Sequence, residues 1–156
     1  MRLTDYTDYA LRLLMHLGGN PGKLITVREI ADVHGISRNH LTKIAHQLGV
    51  LGVLRTLRGR AGGIQLARPP EQIMLGSVIR MTEPDFQMVE CFSATQSSCV
   101  LAGHCRLKGL LAEATDAFLA RLDHVPLSTL LGTPPAGTGV HPLTFCSPPL
   151  HELPLA

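Results

Sequence analysis

The spacing of apolar residues predicts three helices in the first fifty positions. The first helix is predicted over Thr7–Leu17, and the glycine- and proline-rich segment 18–22 ends it. The second begins at Thr26, which forms a capping-box pattern with Glu29, and ends at Gly35. Ser37 is predicted to cap the third helix. The apolar positions on the inner face of this helix are Leu41, Ile44, Ala45 and Leu48.

The second and third helices have the layout of a helix-turn-helix. Ala31 is a small residue where two helices would cross, and Gly35 lies where the turn favours a positive φ. Two strands are then predicted over 53–57 and 64–66, joined by a basic glycine turn that contains Arg58 and Arg60. A hairpin in this position is typical of a wing, with an ordinary solvated hairpin as the alternative. The predicted fold class is mainly α with a small β-hairpin wing: a winged helix-turn-helix followed by a long helix.

The remaining pattern predicts two further helices and a tail. A short helix over Leu75–Met81 ends at Glu83-Pro84, and the longest amphipathic helix covers Leu107–Leu122. Its apolar stripe is Leu107, Leu111, Ala114, Phe118 and Leu122, widened by Leu110 and Ala117. We expect this stripe to pack against its copy in a second chain, with folding back onto its own domain as the alternative. A short helical turn follows Pro126, and the proline-rich segment 133–156 is predicted to be disordered.

Charge is distributed unevenly along the chain. Residues 1–70 contain 10 Lys and Arg against 4 Asp and Glu, which gives +6, and residues 71–156 contain 4 against 8, which gives −4. A basic first half is the expected footprint of a protein that binds a phosphate backbone, although solvated faces could also produce it. The apolar run Leu11–Leu17 contains Arg12 and His16, so it does not resemble an export signal. We therefore expect a cytoplasmic protein without a membrane span.

Three cysteines are grouped in the polar segment between the last two helices. Cys91 and Cys99 are separated by seven residues, and Cys99 and Cys105 by five. Zinc sites usually contain closely spaced pairs, whereas an iron–sulfur cluster takes thiolates that arrive from different directions. Four cysteines in a cytoplasmic chain favour metal ligation over disulfides. The spacing therefore favours an iron–sulfur cluster, with structural zinc or free thiols as alternatives.

Three thiolates leave one coordination position to be filled. The residues alone leave four sources for this ligand: His104, Glu90, Cys146 or a carboxylate from elsewhere. An oxygen ligand would make one iron labile, as a sensor of small ligands requires.

The start of the third predicted helix contains side chains suited to the major groove. These residues are Ser37, Arg38, Asn39, His40 and Lys43. Arginine and asparagine can make bidentate contacts with guanine and adenine edges, and serine and lysine suit phosphates. Arg58 and Arg60 could enter an adjacent A·T-rich minor groove. For each residue, phosphate contact without sequence readout is the alternative.

Four segments of the chain resemble a known family. They are Thr-Asp-Tyr-Thr-Asp-Tyr-Ala-Leu-Arg at 4–12, Ser-Arg-Asn-His-Leu-x-Lys-Ile at 37–44, Arg-Gly-Arg-x-Gly-Gly-Ile-x-Leu at 58–66 and Cys-Arg-Leu-Lys at 105–108. Together they resemble the NsrR-type nitric-oxide-sensing repressors. These proteins are winged-helix iron–sulfur regulators, a family that also includes the cluster-biogenesis regulator IscR. The resemblance covers about residues 1–131.

The resemblance implies a homodimer that binds operator DNA and holds one cluster in each subunit. Cys91, Cys99 and Cys105 would be its ligands, with Asp8 of the other subunit as the candidate fourth ligand. A [4Fe-4S] cluster is favoured, with [2Fe-2S] as the alternative, because the first cysteine interval is longer than the family pattern. Nitrosylation of the cluster would release the DNA. Lys108 stands where the IscR branch has a histidine, which favours the NsrR type.

The implied organisation has four parts. These are a winged helix-turn-helix DNA-binding domain (1–84), a cluster-binding loop (85–106), a dimerisation helix with a short C-terminal helix (107–132) and the tail (133–156). Rival functions are a redox- or iron-responsive regulator of the same fold and a zinc-stabilised winged-helix protein. An enzyme is not expected, because the chain has no glycine-rich phosphate loop and no histidine–carboxylate pair in the context of a catalytic triad.

Overall fold

A computed structural model describes residues 2–59, 61–93, 99–101 and 104–132 of the chain. The predictions for Arg60, for Cys146 and for a disordered tail over 133–156 fall outside these residues.

The first two helices begin at side-chain caps. Helix α1 (Asp5–Gly18) begins after Thr4, whose hydroxyl oxygen accepts from the Thr7 amide. Helix α2 (Val27–His34) begins with the predicted capping box: the Thr26 amide donates to Glu29 Oε2 at 2.7 Å and the Glu29 amide donates to Thr26 Oγ1 at 3.2 Å. These bonds pair backbone amides that a helix start would otherwise leave unsatisfied.

The turn between α2 and α3 (Arg38–Val50) has the predicted left-handed glycine. Gly35 has φ +64°, which only glycine adopts without a steric penalty. Ser37 occupies the N-cap position of α3, but its side chain makes no capping hydrogen bond, so the prediction that it caps the helix holds for position only. The predicted inner face is confirmed, since Leu41, Ile44, Ala45 and Leu48 are all buried.

An antiparallel hairpin follows α3. Strand β1 (Leu54–Leu57) pairs with β2 (Gly63–Leu66), with Leu54 opposite Leu66. Ile25 forms an additional bridge to Ile64, through amides and carbonyls 2.9 and 3.1 Å apart. A Cβ on Gly63 would lie 2.9 Å from the Ile25 carbonyl oxygen, so only glycine permits this approach. The bridge ties the hairpin to the segment before α2, and the sequence pattern did not predict it.

The chain then forms α4 (Leu75–Thr82) and α5 (Arg106–Asp123), with short 3-10 helices at Pro70–Gln72, Glu90–Phe92 and Leu127–Leu130. The segment after α5 returns to the start of α4. There the Leu127 amide donates to the Ile73 carbonyl at 2.8 Å and the Leu75 amide donates to the Val125 carbonyl at 2.9 Å. Because the Leu127 side chain is fully buried, this segment fixes the end of α5 against the helix-turn-helix core.

The buried face of α5 differs in part from the predicted stripe. Thr115 and Leu119 are buried, whereas the predicted Ala114 and Ala117 are exposed, and Leu107 and Leu110 are 59% and 62% exposed. Thr115 can be buried because its hydroxyl donates to the carbonyl of Leu111. The face of α5 that packs against α4 is therefore rotated from the most apolar one. Among the described residues, no helix is long and apolar enough to cross a membrane.

Candidate nucleic-acid interface and metal centre

The first turns of α3 present a polar surface to solvent. All five side chains singled out from the sequence are exposed: Ser37, Arg38, Asn39, His40 and Lys43. Leu41 and Ile44 lie on the other side of the helix and are fully buried. The sequence of α3 therefore presents donors outward because its apolar positions are fixed in the core.

Helix α1 contacts α3 near both of its ends. The Tyr9 ring lies nearly parallel to the His40 ring, with centroids 6.4 Å apart, and the Tyr6 hydroxyl donates to Gln47 Oε1 at 2.5 Å. Burial raises the pKa of Tyr6, so it is a neutral donor. Gln47 in turn donates to the Met81 carbonyl of α4 at 3.3 Å. The orientation of α3 thus depends on contacts with both α1 and α4.

The hairpin is joined directly to the end of α3. The Val53 amide donates to the Leu48 carbonyl at 2.9 Å, so β1 begins where α3 ends. Arg58 is exposed at the tip, beside Gly59 with φ +121°. This arrangement places a basic tip at a fixed position relative to α3, as a wing requires.

The three cysteines line one cleft, which we call the cysteine cleft. It has a volume of about 270 Å³, and its walls are Val89, Glu90, Cys91, Cys99, Leu101, Cys105, Leu107, Lys108 and Leu111. Cys91 lies in the 3-10 helix Glu90–Phe92 and Cys105 directly precedes α5, so the thiols come from three separate parts of the chain. All three are free thiols. The fold therefore brings together the cysteines that the sequence only groups by position.

This donor set fits a cluster with several irons. Thiolates are the usual protein ligands of iron–sulfur clusters, and the three thiols line one cleft together with several apolar side chains. Among the described residues, no three His, Cys, Asp or Glu side chains are grouped closely enough to hold a single metal ion. Of the candidates for fourth ligand that the structure describes, Glu90 lines the cleft and His104 does not.

Asp8 lies elsewhere in the chain, on α1. Its carboxylate pairs with Arg12 at 2.7 Å, and both side chains are a little under half exposed. It does not line the cysteine cleft of its own subunit.

Hydrogen bonds connect the end of α4 to the start of α1. The Thr4 amide donates to Glu83 Oε1 at 2.8 Å, and the Thr4 hydroxyl lies 3.1 Å from the same oxygen. The buried Thr7 hydroxyl donates to Thr82 Oγ1 at 2.9 Å. Sequence reasoning missed these two contacts. Thr4 and Glu83 are 79 positions apart and Thr7 and Thr82 are 75 positions apart, so only tertiary packing joins them.

The comparisons with known proteins agree with this geometry. The Rrf2 family, described as iron-dependent transcriptional regulators, matches residues 3–133. The chain belongs to the Rrf2 family. The transcriptional regulators named NsrR from Shouchella clausii and Bacillus subtilis are each 48% identical to it over 132 residues. These matches cover 84% of this chain and 89% and 90% of the relatives.

A solved Rrf2-like structure shows the same fold. The oxidised form of CymR from Staphylococcus aureus aligns with a TM-score of 0.68 and 25% identity, covering 85% of this chain and 98% of that one. The predicted winged helix-turn-helix and the resemblance to NsrR-type regulators are thus confirmed. This Rrf2 chain is a DNA-binding transcriptional regulator, and the names of these relatives describe regulation of transcription and not catalysis.

Proposed function

We propose that the chain is a homodimeric, nitric-oxide-sensitive repressor that binds operator DNA while Cys91, Cys99 and Cys105 hold an iron–sulfur cluster. The observation that carries this proposal is the cysteine cleft, in which three free thiols from separate segments meet beside a winged helix. The description of the family as iron-dependent and the NsrR-named relatives support it. The protein would act in the cytoplasm, where reducing conditions keep thiols available.

The cysteine cleft would supply the thiolate ligands, and apolar side chains line part of it. When bound, such a cluster supplies iron at which nitric oxide coordinates at the expense of the protein ligands. A [4Fe-4S] cluster is favoured, with [2Fe-2S] as the alternative. Asp8 of the other subunit is the proposed fourth ligand, and it would exchange its exposed ion pair with Arg12 for the metal. An exposed ion pair contributes only about 0–1 kcal/mol, so this exchange costs little.

DNA contacts are proposed for the exposed start of α3 and for the hairpin. Arg38 and Asn39 would make bidentate contacts with base edges, and Ser37, His40 and Lys43 would position the helix on phosphates and bases. Arg58 and Arg60 of the wing would enter an adjacent minor groove. Because α3 and β1 are joined by a backbone hydrogen bond, both contacts would form together.

Loss of the cluster would affect the orientation of α3 through the contacts of α3 with α1 and α4. Release of the thiols would free the loop that follows α4, and Glu83 at the end of α4 accepts hydrogen bonds from Thr4 at the start of α1. The same helix contacts α3 through Tyr6 and Gln47. A coupling of about 1–3 kcal/mol between the two sites would change DNA affinity about 5- to 150-fold.

A second copy of the chain would cover the exposed half of α5. Leu107 and Leu110 are more than half exposed, although they are large apolar residues on one helix turn. Their burial against a partner would place two copies of α3 about one helical turn of DNA apart, as paired half-sites require. Leu107 also lines the cysteine cleft, so the proposed interface and the proposed cluster site adjoin.

The deciding experiment is native mass spectrometry of protein purified without oxygen, followed by operator-binding assays. We expect a dimer with an iron and sulfide increment for each chain, and loss of operator binding after nitric oxide is added. Zinc in place of iron, or no metal in any preparation, would contradict the proposal. A loss of affinity with oxygen or reductant, but not with nitric oxide, would instead indicate a redox- or iron-responsive regulator.

A further inference from the structure

Two histidines meet where α1 and α2 end, away from the cysteine cleft. His34 Nε2 lies 3.2 Å from His16 Nδ1, and the two rings are edge-to-face with centroids 5.3 Å apart. Both side chains are partly buried. His16 is in the last turn of α1 and His34 is the last residue of α2, so this contact joins the two helices immediately before the Gly35 turn.

The separation of the two nitrogens suits a shared metal ion. Zinc binds imidazole nitrogen at about 2.0–2.1 Å, and two such ligands at a tetrahedral angle are about 3.3 Å apart. The observed 3.2 Å is close to this value. An ion beside the line between the nitrogens could therefore reach both once the rings rotate to point their lone pairs at it. The proton of the shared hydrogen bond would move to the other nitrogen of the donating ring, so both imidazoles would stay neutral.

The surroundings keep His34 available as a ligand. Burial, followed by the nearby charges of His16 and Arg12, lowers the pKa of His34, so its imidazole is neutral around neutral pH. Metal binding requires this neutral form. Arg12 opposes a cation at the site. The hydrogen bonds of Glu29 with Thr26 lower the pKa of its carboxylate, and the charge of His16 lowers it further, so a negative charge is near enough to interact with His16.

We propose that His16 Nδ1 and His34 Nε2 form a binding site for one borderline divalent cation such as Zn²⁺, separate from the cysteine cleft. Imidazole pairs favour zinc, nickel and copper over magnesium and calcium. Water would complete the coordination, since no third His, Cys, Asp or Glu among the described residues joins the pair closely enough. The ion would fasten α1 to α2 beside the turn that leads into α3, and would stabilise the orientation of the DNA-binding helix.

The first test uses Zn²⁺ alone and the full chain loaded with its cluster. An ion that binds only the folded state raises the unfolding temperature. We expect Zn²⁺ to raise it for the wild type and for His46→Gln, a control histidine exposed on α3. The rise should disappear in His16→Gln and in His34→Gln, which retain polar side chains. An equal rise in these two variants, or no rise in the wild type, would overturn the proposal.

Cobalt distinguishes imidazole from thiolate ligation in the same proteins. Co²⁺ bound at the histidine pair should give visible d–d bands without an intense thiolate-to-cobalt charge-transfer band, and these bands should be lost in His34→Gln. A charge-transfer band that persists in that variant would assign the ion to the cysteines and overturn the site. Iron and sulfide content should be equal in all four proteins, because the histidine pair is not part of the cysteine cleft. These measurements can therefore contradict the histidine site without contradicting the cluster at the cysteine cleft, and the reverse.

Discussion

At the residue scale, the side chains proposed to bind the cluster are different from those that form the hydrophobic core. Cys99 is exposed and Cys91 and Cys105 are only partly buried, so none of the three fills the core. The core is aliphatic, with residues such as Leu13, Leu41 and Val78 fully buried. Substitutions at the thiols should therefore remove a proposed ligand without disturbing the packing that forms the winged helix.

We predict that Cys99→Ala abolishes the cluster and leaves a folded dimer. Three thiolates are the proposed anchors, and an exposed side chain contributes little to the free energy of unfolding. Iron and sulfide analysis with circular dichroism measures both effects. Cys146→Ala is the matched control, and we expect it to retain the cluster. Unchanged iron content in Cys99→Ala would remove this residue from the ligand set.

We predict that Arg60→Ala weakens operator binding and lowers the dependence of affinity on salt. Loss of one phosphate contact should reduce the slope of log affinity against log salt by about 1. Titration of labelled operator at several salt concentrations measures this slope. Arg121→Ala removes the same charge from an exposed position on α5 and should change neither quantity. If Arg60→Ala also changes neither, the wing does not contact DNA.

At the scale of single elements, α2 depends on its capping box. Hydrogen bonds from Thr26 lower the pKa of Glu29 in the folded state. The ionised carboxylate therefore stabilises the fold at pH values above the ordinary glutamate pKa of about 4.3. This contribution is lost as the pH falls through the lowered pKa of the folded state. We predict that Glu29→Gln lowers the unfolding temperature at neutral pH and that the difference from wild type disappears in acid. Melting curves across pH measure this. A difference that is constant with pH would contradict the ionic role.

The crossing of α4 and α5 depends on a glycine. A Cβ on Gly76 would lie 2.7 Å from the Asp123 backbone nitrogen and 2.9 Å from its Cα, and backbone there cannot move without displacing α5. We predict that Gly76→Ala lowers the free energy of unfolding by about 1–3 kcal/mol. Chemical denaturation measures this. Gly109→Ala is the control, because no neighbouring atom lies within 4 Å and alanine favours the helix by about 0.5–1 kcal/mol. Equal effects of the two substitutions would contradict the packing argument.

At the scale of the whole molecule, the proposed dimer depends on the exposed part of α5. We predict that Leu110→Asp yields monomers with a similar unfolding transition at low protein concentration and with much weaker operator affinity, because a charge cannot be buried unpaired in an apolar interface. Sedimentation velocity measures the oligomeric state. Val50→Asp, at a position on α3 that is 76% exposed, should remain dimeric. Dimers of Leu110→Asp would show that another surface joins the subunits.

Hydrogen bonds also connect distant positions within residues 4–83. Glu83, at the end of α4, accepts hydrogen bonds from Thr4, and Tyr6, two residues after Thr4, contacts Gln47 on the DNA-binding helix. These contacts join positions up to 79 residues apart. They give the proposed release of the cysteines a physical route to the DNA surface.

The sequence by itself determined the features that depend on neighbouring residues. The capping box of α2, the left-handed Gly35 and the buried positions of α3 follow from local hydrogen bonding, sterics and helical periodicity. The same local patterns located the hairpin and the exposed polar start of α3. The order of the main helices and the hairpin, and the inner face of α3, could therefore be predicted without coordinates.

The tertiary structure alone decided which distant residues meet. Thr115 and Leu119 of α5 are buried within the chain because α4 packs against that face, while the prediction that the apolar stripe packs against a second chain stays a prediction. The bridge from Ile25 to Ile64, the bond from Thr4 to Glu83 and the pairing of His16 with His34 have no local signal. Long-range contacts depend on how complete elements pack, and periodicity along one segment contains no information about its partner.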